Sequence, residues 1–491
     1  MRAAKLVSCI LTASVLTLTP LAQAKLDPAG LKRGLNSIRP EEAYALCQTM
    51  ASPEFAGRLT GHQGYTAAAR WAALKFKEWG LKPLGAKEGY LQSYPSPYTL
   101  VDRAEMTLLL PEKTAEGQAK VKELKLEAGK DFLPLLFSDS GQAEAGLVFA
   151  GWGICAPELG YDDYAGLEVK DRFVLCFRGT PDPSDKRFQE YDEHRTRMKT
   201  ARDKGAVGLV YIYPEVSANP NGDWLEGFIP VEISEQTADL IIKDKGLTSA
   251  ELKNDLALYK RPLSFALEAH LRTSLESRHF ADGIGYNIVG WVEGSDPKLK
   301  SECLIFGGHF DHCGRHLGIL FPGADDNASG SASVMEIAQA FAALGRKPRR
   351  SAVFVLFGGE EMGLLGSKYF AEHLPPQFTS VAAMFNFDMT GEGDGAWCGV
   401  SPEPVSLKQA LEEADHQVKI LRGLRVIRQV GVRSSDFAPF FLKGIPCASL
   451  GSNGPHLAYH QAGDTIYRLN PDIMADIAKV AFLAGCDLAD R

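Results

Sequence analysis

Beyond its first 24 residues, the 491-residue chain has no apolar run long enough to cross a bilayer, which excludes an internal membrane-spanning helix. It has no surplus of positive charge either. Lys and Arg number 53 against 61 Asp and Glu, a net charge of −8, so a general electrostatic attraction to nucleic acid or to an anionic membrane is not expected. Cysteines are scattered without C-x-x-C spacing, so neither a disulfide framework nor a thiolate metal site is expected, and Cys176, Cys303 and Cys447 sit in apolar runs where a buried free thiol is the ordinary outcome. No fixed-period repeat and no long low-complexity segment is present.

What the chain does have begins with a leader. Arg2 and Lys5 precede an apolar run from Leu6 to Leu21 and an A-x-A end at Ala22 and Ala24. Residues 1–24 therefore read as a secretory signal peptide cut after Ala24, and the protein is expected to be secreted or periplasmic. A membrane anchor is the rival reading, but Ser8, Thr12, Ser14, Thr17, Thr19 and Pro20 interrupt the run.

The length is about three times the ~150 residues of a single domain. EEAYALCQTM and GYTAAARWAALKFKEWGL predict helices, the second from the recurrence of Tyr65, Ala68, Ala72, Phe76 and Trp79, with Gly80 placed to end it. From about Tyr98 to Phe280 the texture changes to short β-rich runs separated by Gly, Pro and Asp, which predicts a separate domain over 98–282. From about Gly283, strand runs alternate with helical runs. Residues 25–97 and 283–491 are thus expected to form one α/β domain with a mostly parallel central sheet flanked by helices.

Open α/β sheets collect ligands at the carboxyl ends of their strands. ECLIFGG runs into His309 and Asp311, SAVFVLFGG into Glu360 and Glu361, VAAMFNF into Asp388, and IPCASLG precedes a loop carrying Tyr459 and His460. GADDNASG adds Asp325 and Asp326 just before a helix. Taken singly, each has a bland reading: a strand-end pair, a solvated glutamate pair or a helix cap. Together they bring imidazole and carboxylate donors without thiolate to one edge, which suits zinc. Two histidines and three carboxylates exceed what one catalytic zinc requires, so two metals sharing a carboxylate are expected. Glu360 lies beside a ligand without being needed as one, and such a carboxylate takes the proton of a metal-activated water attacking an amide or ester.

The motifs GGHFDH, PGADDNASGSA, GGEEMGLLGSKYF, FNFDMTG, RSSDFAPF and YHQAGDT resemble those of the secreted di-zinc aminopeptidases, relatives of glutamate carboxypeptidase and the transferrin receptor. The likeness spans about Gly283 to the C-terminus and the segment SPEFAGRLTGHQGYTAAA, while the 98–282 region resembles the protease-associated domain inserted in such enzymes. The resemblance implies the zinc-exopeptidase type of α/β fold. It makes Asp326 the bridging ligand, with His460 and Glu361 on one zinc and His309 and Asp388 on the other. It makes Glu360 the general base, Asp311 the residue that orients His309, and Tyr459 a stabiliser of the oxyanion. Peptides with a free N-terminus are the implied substrates, while the oligomeric state is open. Within that class a carboxypeptidase or a single-zinc cyclase of N-terminal glutamine is the alternative, and outside it a binding protein that has lost its metals. One departure stands out: Phe437 follows Asp436 where related sequences often carry His. His312, His316 and His456 are expected to be solvent-exposed or hydrogen-bonding, outside the ligand set.

Overall fold

The computed structural model describes residues 28–85, 87, 89–113, 118–220, 224–402, 405–426 and 435–491. The signal-peptide expectation for residues 1–24 lies outside the described residues. Among those described, no helix is long and apolar enough to cross a membrane.

The strand Glu302–His309 lies at the centre of a nine-stranded sheet, between the parallel strands Ser351–Phe357 and Ser380–Phe387, and Cys447–Ser452 continues the parallel set. Seven of the eight residues in ECLIFGGH are buried and all seven in SAVFVLF, the continuous apolar texture that strands covered on both faces require. Register places Phe306 beside Phe354 on one side and Phe385 on the other. The three rings stack at centroid distances of 5.5 and 4.9 Å, and Phe341 of the helix Gly330–Ala342 packs on them from above. That helix and the C-terminal helix Pro471–Asp490 are largely buried and form the layer on this face.

The sheet expected to be mostly parallel is parallel at its centre, with antiparallel pairs on either side and the edge strand Leu421–Val426 again parallel to Ala396–Val400. Ile284–Val292 runs antiparallel to Ser351–Phe357, Leu91–Pro95 and Lys82–Pro83 pair antiparallel with it, and Ala396–Val400 is antiparallel to Cys447–Ser452. The parallel centre needs crossovers between its members, and the helix Gly330–Ala342 lies in the one from Glu302–His309 to Ser351–Phe357. The two N-terminal helices read from the sequence are present as Pro40–Met50 and Gln63–Glu78, and Gly80 takes a φ of +76° just beyond the second.

A second sheet, of eight strands, is drawn from residues 98–280. The long strand Ser264–Phe280 is its spine, and Leu267, Ala269, Leu271, Thr273 and Leu275 alternate with exposed residues along it, so one face is apolar and the other wet. The region is richer in α/β character than its sequence texture suggests. Gly141–Ala150, Phe173–Phe177, Gly208–Tyr213 and Ile229–Ser234 pair in parallel, and the helix His194–Asp203 forms the crossover between the second and third of them.

The eight described cysteines form no disulfide. Seven are buried and Cys155 is half-buried.

Candidate metal centre

His309 is the last residue of its strand, and the loop Phe310–Gly323 carries the chain from there to Asp325 and Asp326. Arg58 ties the two ends of that loop together. Its guanidinium is fully buried and donates to the carbonyls of Phe310 (2.8 Å), Pro322 (2.9 Å), Gly323 (2.7 Å) and Met50 (2.6 Å). A planar fork with five donors suits several carbonyls at fixed angles, a task lysine cannot match.

Asp326 is held from behind. The Asp464 carboxylate accepts from the N–H groups of Asp325 (2.9 Å) and Asp326 (3.0 Å). The next residue, Asn327, donates to the Phe387 carbonyl at 2.9 Å and accepts from the N–H groups of Gly330 and Met389. Gly330 has no room for a side chain, since a Cβ there would lie 2.3 Å from Asn327 Oδ1 and 2.4 Å from the Phe387 carbonyl oxygen. The helix start and the strand end that leads to Asp388 are thereby locked together.

The five residues expected to bind metal converge. His309 Nε2 is 3.2 Å from Asp326 Oδ1 and 3.4 Å from Asp388 Oδ1. His460 Nε2 is 3.3 Å from the other oxygen, Asp326 Oδ2, and 2.9 Å from Glu361 Oε2. Asp326 thus faces two imidazoles with its two oxygens. Ser435 Oγ donates to Asp388 Oδ2 at 2.7 Å and accepts from Asn386 at 2.9 Å, which fixes the Asp388 carboxylate.

The electrostatics are those of crowded opposite charges out of water. Burial works against protonating His309, yet Glu360, Asp326 and Asp388 outweigh it and hold the imidazole pKa well above its usual value. Burial likewise opposes the charged form of His460, and Glu361 and Asp326 reverse that effect. Burial pushes Glu361 upward, but His460 and His312 bring it down to about 2. Despite this attraction, His460 Nε2 and Asp326 Oδ2 are buried without a hydrogen-bond partner. Buried polar atoms are nearly always bonded, so convergent donor atoms left without bonds fit a cation between them. The set of imidazole nitrogens and carboxylate oxygens fits a divalent metal of the zinc type, and ligand atoms of His309, Asp326 and Glu361 all lie within 4.8 Å of one another.

Glu360 adjoins the cluster, and its N–H donates to Asp311 Oδ1 at 3.2 Å. Burial is the largest influence on the Glu360 carboxyl and pushes its pKa well up, against His309 and with the help of Glu361, Asp436 and Asp388. The expected contact between the Asp311 carboxylate and His309 is replaced by a nearer one. His309 Nδ1 lies 3.3 Å from the Asp311 main-chain carbonyl and 3.8 Å from its carboxylate, because that carboxylate is turned towards the Glu360 N–H. Tyr459 stacks on His460 at 3.9 Å between ring centroids. Its ring is half-exposed, while crowding around the hydroxyl, followed by the fields of Asp326, Glu361, Glu360 and Asp388, raises the phenol pKa well above its ordinary value.

His312 is not exposed; it is fully buried and its Nδ1 lies 2.9 Å from Glu361 Oε1, so it braces the Glu361 carboxylate. His316 is also buried, on the Cys313 carbonyl at 2.9 Å. His456 Nδ1 pairs with Asp325 Oδ2 at 2.6 Å. Phe437, the departure noted in the sequence, packs in the apolar layer with Phe357, Phe440 and Met384, so its ring serves the core. Arg58, Asp464 and Ser435 all lie in the quoted motif segments. The sequence signalled their presence without their roles, since their partners are main-chain atoms or residues far along the chain.

A carboxyl-edge cluster of two imidazoles and several carboxylates on a central parallel sheet is the arrangement of an α/β metal-site protein. The family model described as Peptidase family M28 matches residues 287–484. A probable leucine aminopeptidase of Trichophyton verrucosum is 31% identical over 332 residues, covering 60% of this chain and 90% of that protein. The leupeptin-inactivating enzyme 1 of Streptomyces exfoliatus is 31% identical over 192 residues, and this chain spans only 40% of its length. Among solved structures, the aminopeptidase from Aneurinibacillus sp. strain AM-1 shares the fold with a TM-score of 0.64 at 18% identity, over 92% of this chain and 95% of that one. The chain belongs to peptidase family M28.

Proposed function

We propose that this chain is an exported zinc aminopeptidase that removes N-terminal residues from peptides, with two zinc ions held by His309 and Asp388 on one side, His460 and Glu361 on the other, and Asp326 between them. The observation that carries this reading is Asp326, whose Oδ1 faces His309 and whose Oδ2 faces His460 at nearly equal distances. Relatives named as aminopeptidases, and a solved structure described as a zinc aminopeptidase from Bacillus subtilis, support the same assignment. Zinc at this position supplies Lewis acidity to the scissile carbonyl and acidifies water.

The chain's own residues do the remaining work. Glu360, beside the cluster with its backbone N–H on Asp311, takes the proton from the water that attacks the carbonyl and returns it to the leaving amine. Asp311 fixes Glu360 through the backbone N–H and steadies His309 through its main-chain carbonyl. Tyr459, stacked on His460 with its hydroxyl kept protonated, donates to the oxygen that gains charge as the carbonyl is attacked. Glu360 and Asp388 are the carboxylates assigned to draw the substrate ammonium. The signal-peptide pattern of residues 1–24 motivates export, and the 98–280 sheet region is assigned to a protease-associated domain on its sequence resemblance alone.

The test combines zinc analysis with a matched pair of substrates. Close to two zinc ions per chain are expected, together with hydrolysis of a free aminoacyl anilide and near inertness towards its N-acetylated counterpart. Full activity in metal-free protein would sink the mechanism, and equal rates on the two substrates would point to an endopeptidase or esterase.

A further inference from the structure

His460 is reached from the second sheet. Its backbone has a φ of +57°, a left-handed conformation that costs any residue with a Cβ. Its carbonyl accepts a hydrogen bond from the N–H of Ala218, at 2.7 Å, in a loop that belongs to the 98–280 region. The same loop makes a second contact on that side of the cluster, where Cys313 Sγ donates to the Ala218 carbonyl at 3.4 Å, next in sequence to the His312 that braces Glu361.

The loop is held by a fully buried carboxylate. Glu232, on the strand Ile229–Ser234, has no exposed surface and no cationic partner among its hydrogen bonds. One of its oxygens accepts from the Ser217 N–H, and the other accepts from Asn219 Nδ2 at 3.1 Å. Asn219 in turn spans the loop, with the same Nδ2 3.3 Å from the Ser217 carbonyl and hydroxyl oxygens. A carboxylate sunk in the core of a sheet is costly, and an apolar residue would fill that place at less cost unless its acceptors were needed. Both acceptors are spent on the residues either side of Ala218. Val216 and Ala218 share an apolar cluster with Leu133, Leu136, Cys313 and Phe321, so the loop is seated against both regions of the chain.

We propose that Glu232 is a positioning residue for the metal centre: through Ser217 and Asn219 it sets the Ala218 N–H that pins the left-handed backbone of His460 and thereby aims that imidazole. The inference rests on the reading of His460 as a zinc ligand. It makes the 98–280 region a structural part of the site on its His460 and Glu361 side, and leaves the His309 and Asp388 side independent of it.

The test uses the full chain as wild type and as Glu232→Gln, Asn219→Ala and Asp163→Asn. Gln keeps one acceptor and replaces the other with a donor facing a donor. Asn219→Ala is the milder change should Glu232→Gln fold poorly. Asp163 is a buried carboxylate of the same region whose partners are Trp152, Ile154 and Tyr161, away from the loop, and it controls for general loosening. Zinc retention is read by equilibrium competition with a chromophoric chelator, alongside kcat and KM separately. Outer partners of metal ligands typically change affinity or activity by about 10- to 100-fold. Glu232→Gln and Asn219→Ala are expected to release one ion per chain more easily by a factor in that range and to lower kcat more than they alter KM, while Asp163→Asn lowers the melting temperature with zinc retention unchanged. Zinc retention like wild type in both loop variants overturns the proposal, as does an equal loss in Asp163→Asn. Wild-type protein that holds no zinc sinks the metallopeptidase reading itself, and that measurement precedes the variants.

Discussion

In the 98–280 region the buried Arg197 guanidinium donates to the carbonyls of Trp152 and Asp192, both at 2.7 Å, and to that of Gly179, and it pairs with the Asp192 carboxylate at 2.8 Å. The buried Asp163 beside it accepts from two backbone N–H groups and the Tyr161 hydroxyl. At the edge of the central sheet, by contrast, His460 Nε2 and Asp326 Oδ2 face each other across 3.3 Å, buried and without hydrogen bonds. Both regions sink charge into the protein. The Arg197 and Asp163 network closes its charged groups with partners, and the metal cluster leaves donor atoms converging on a shared point. Burial of charge alone is therefore not the mark of the site; convergent donors left without bonds are.

The comparison breaks first at Asp326. Replacing it by Ala should strip both ions and abolish turnover, since each side of the cluster loses a ligand; zinc analysis that finds one ion still tightly held would show that Asp326 serves a single side. Next in size is Glu360→Gln, for which loss of proton transfer is expected to lower kcat by about 10² to 10⁴. Zinc content should stay at the wild-type value, and loss of zinc instead would exchange the roles of Glu360 and Glu361.

The two buried arginines sharpen the contrast. Arg58→Ala and Arg197→Ala each leave several buried carbonyls without donors, and each unsatisfied group costs about 1–3 kcal/mol. Urea or thermal unfolding should show comparable destabilisation of both. Only Arg58→Ala should also weaken zinc binding, because its carbonyls bracket the loop from Phe310 to Gly323 between His309 and Asp326. Equal zinc affinity in the two variants would reduce Arg58 to a packing residue.

The smallest effect is a pH dependence in the closed network. Burial raises the Asp163 pKa from 3.8 to about 7, against the hydrogen bonds it accepts and the charge of Arg197. The folded state then holds a proton that the unfolded chain has released. The stability tied to that proton is fully present below pH 4 and is lost as pH rises through about 7, at no more than about 1.4 kcal/mol per pH unit. Asp163→Asn should flatten this slope in unfolding measurements between pH 4 and 8, and an unchanged slope would assign it to another group.

The strand runs ending in His309, Glu360, Glu361 and Asp388 were readable because an apolar strand buried on both faces leaves an unmistakable run, and the polar residue that stops it is where the sheet edge lies. The loop residues Tyr459 and His460 needed the motif resemblance as well. Arg58 could not be read, since its partners are four main-chain carbonyls, three of them more than 250 residues away, and a carbonyl leaves no trace in side-chain pattern. His312 looked like a spare histidine beside a completed set, and only the fold shows it behind Glu361. The parallel strands within the 98–280 region escaped notice because short apolar runs between turns look alike whichever direction their neighbours run.

The unpaired cysteines give the molecule a set of built-in clocks. A buried thiol reacts with an alkylating reagent only while the protein around it is open, so its modification rate reports local unfolding. Cys176 lies in the second sheet, while Cys303, Cys398 and Cys447 lie in strands of the central one. Mass-spectrometric footprinting of these positions in one untagged, unmutated sample would time the opening of each sheet separately. If chelation speeds labelling of the central-sheet thiols while Cys176 keeps its pace, the metal's contribution to folding is confined to the sheet that holds it.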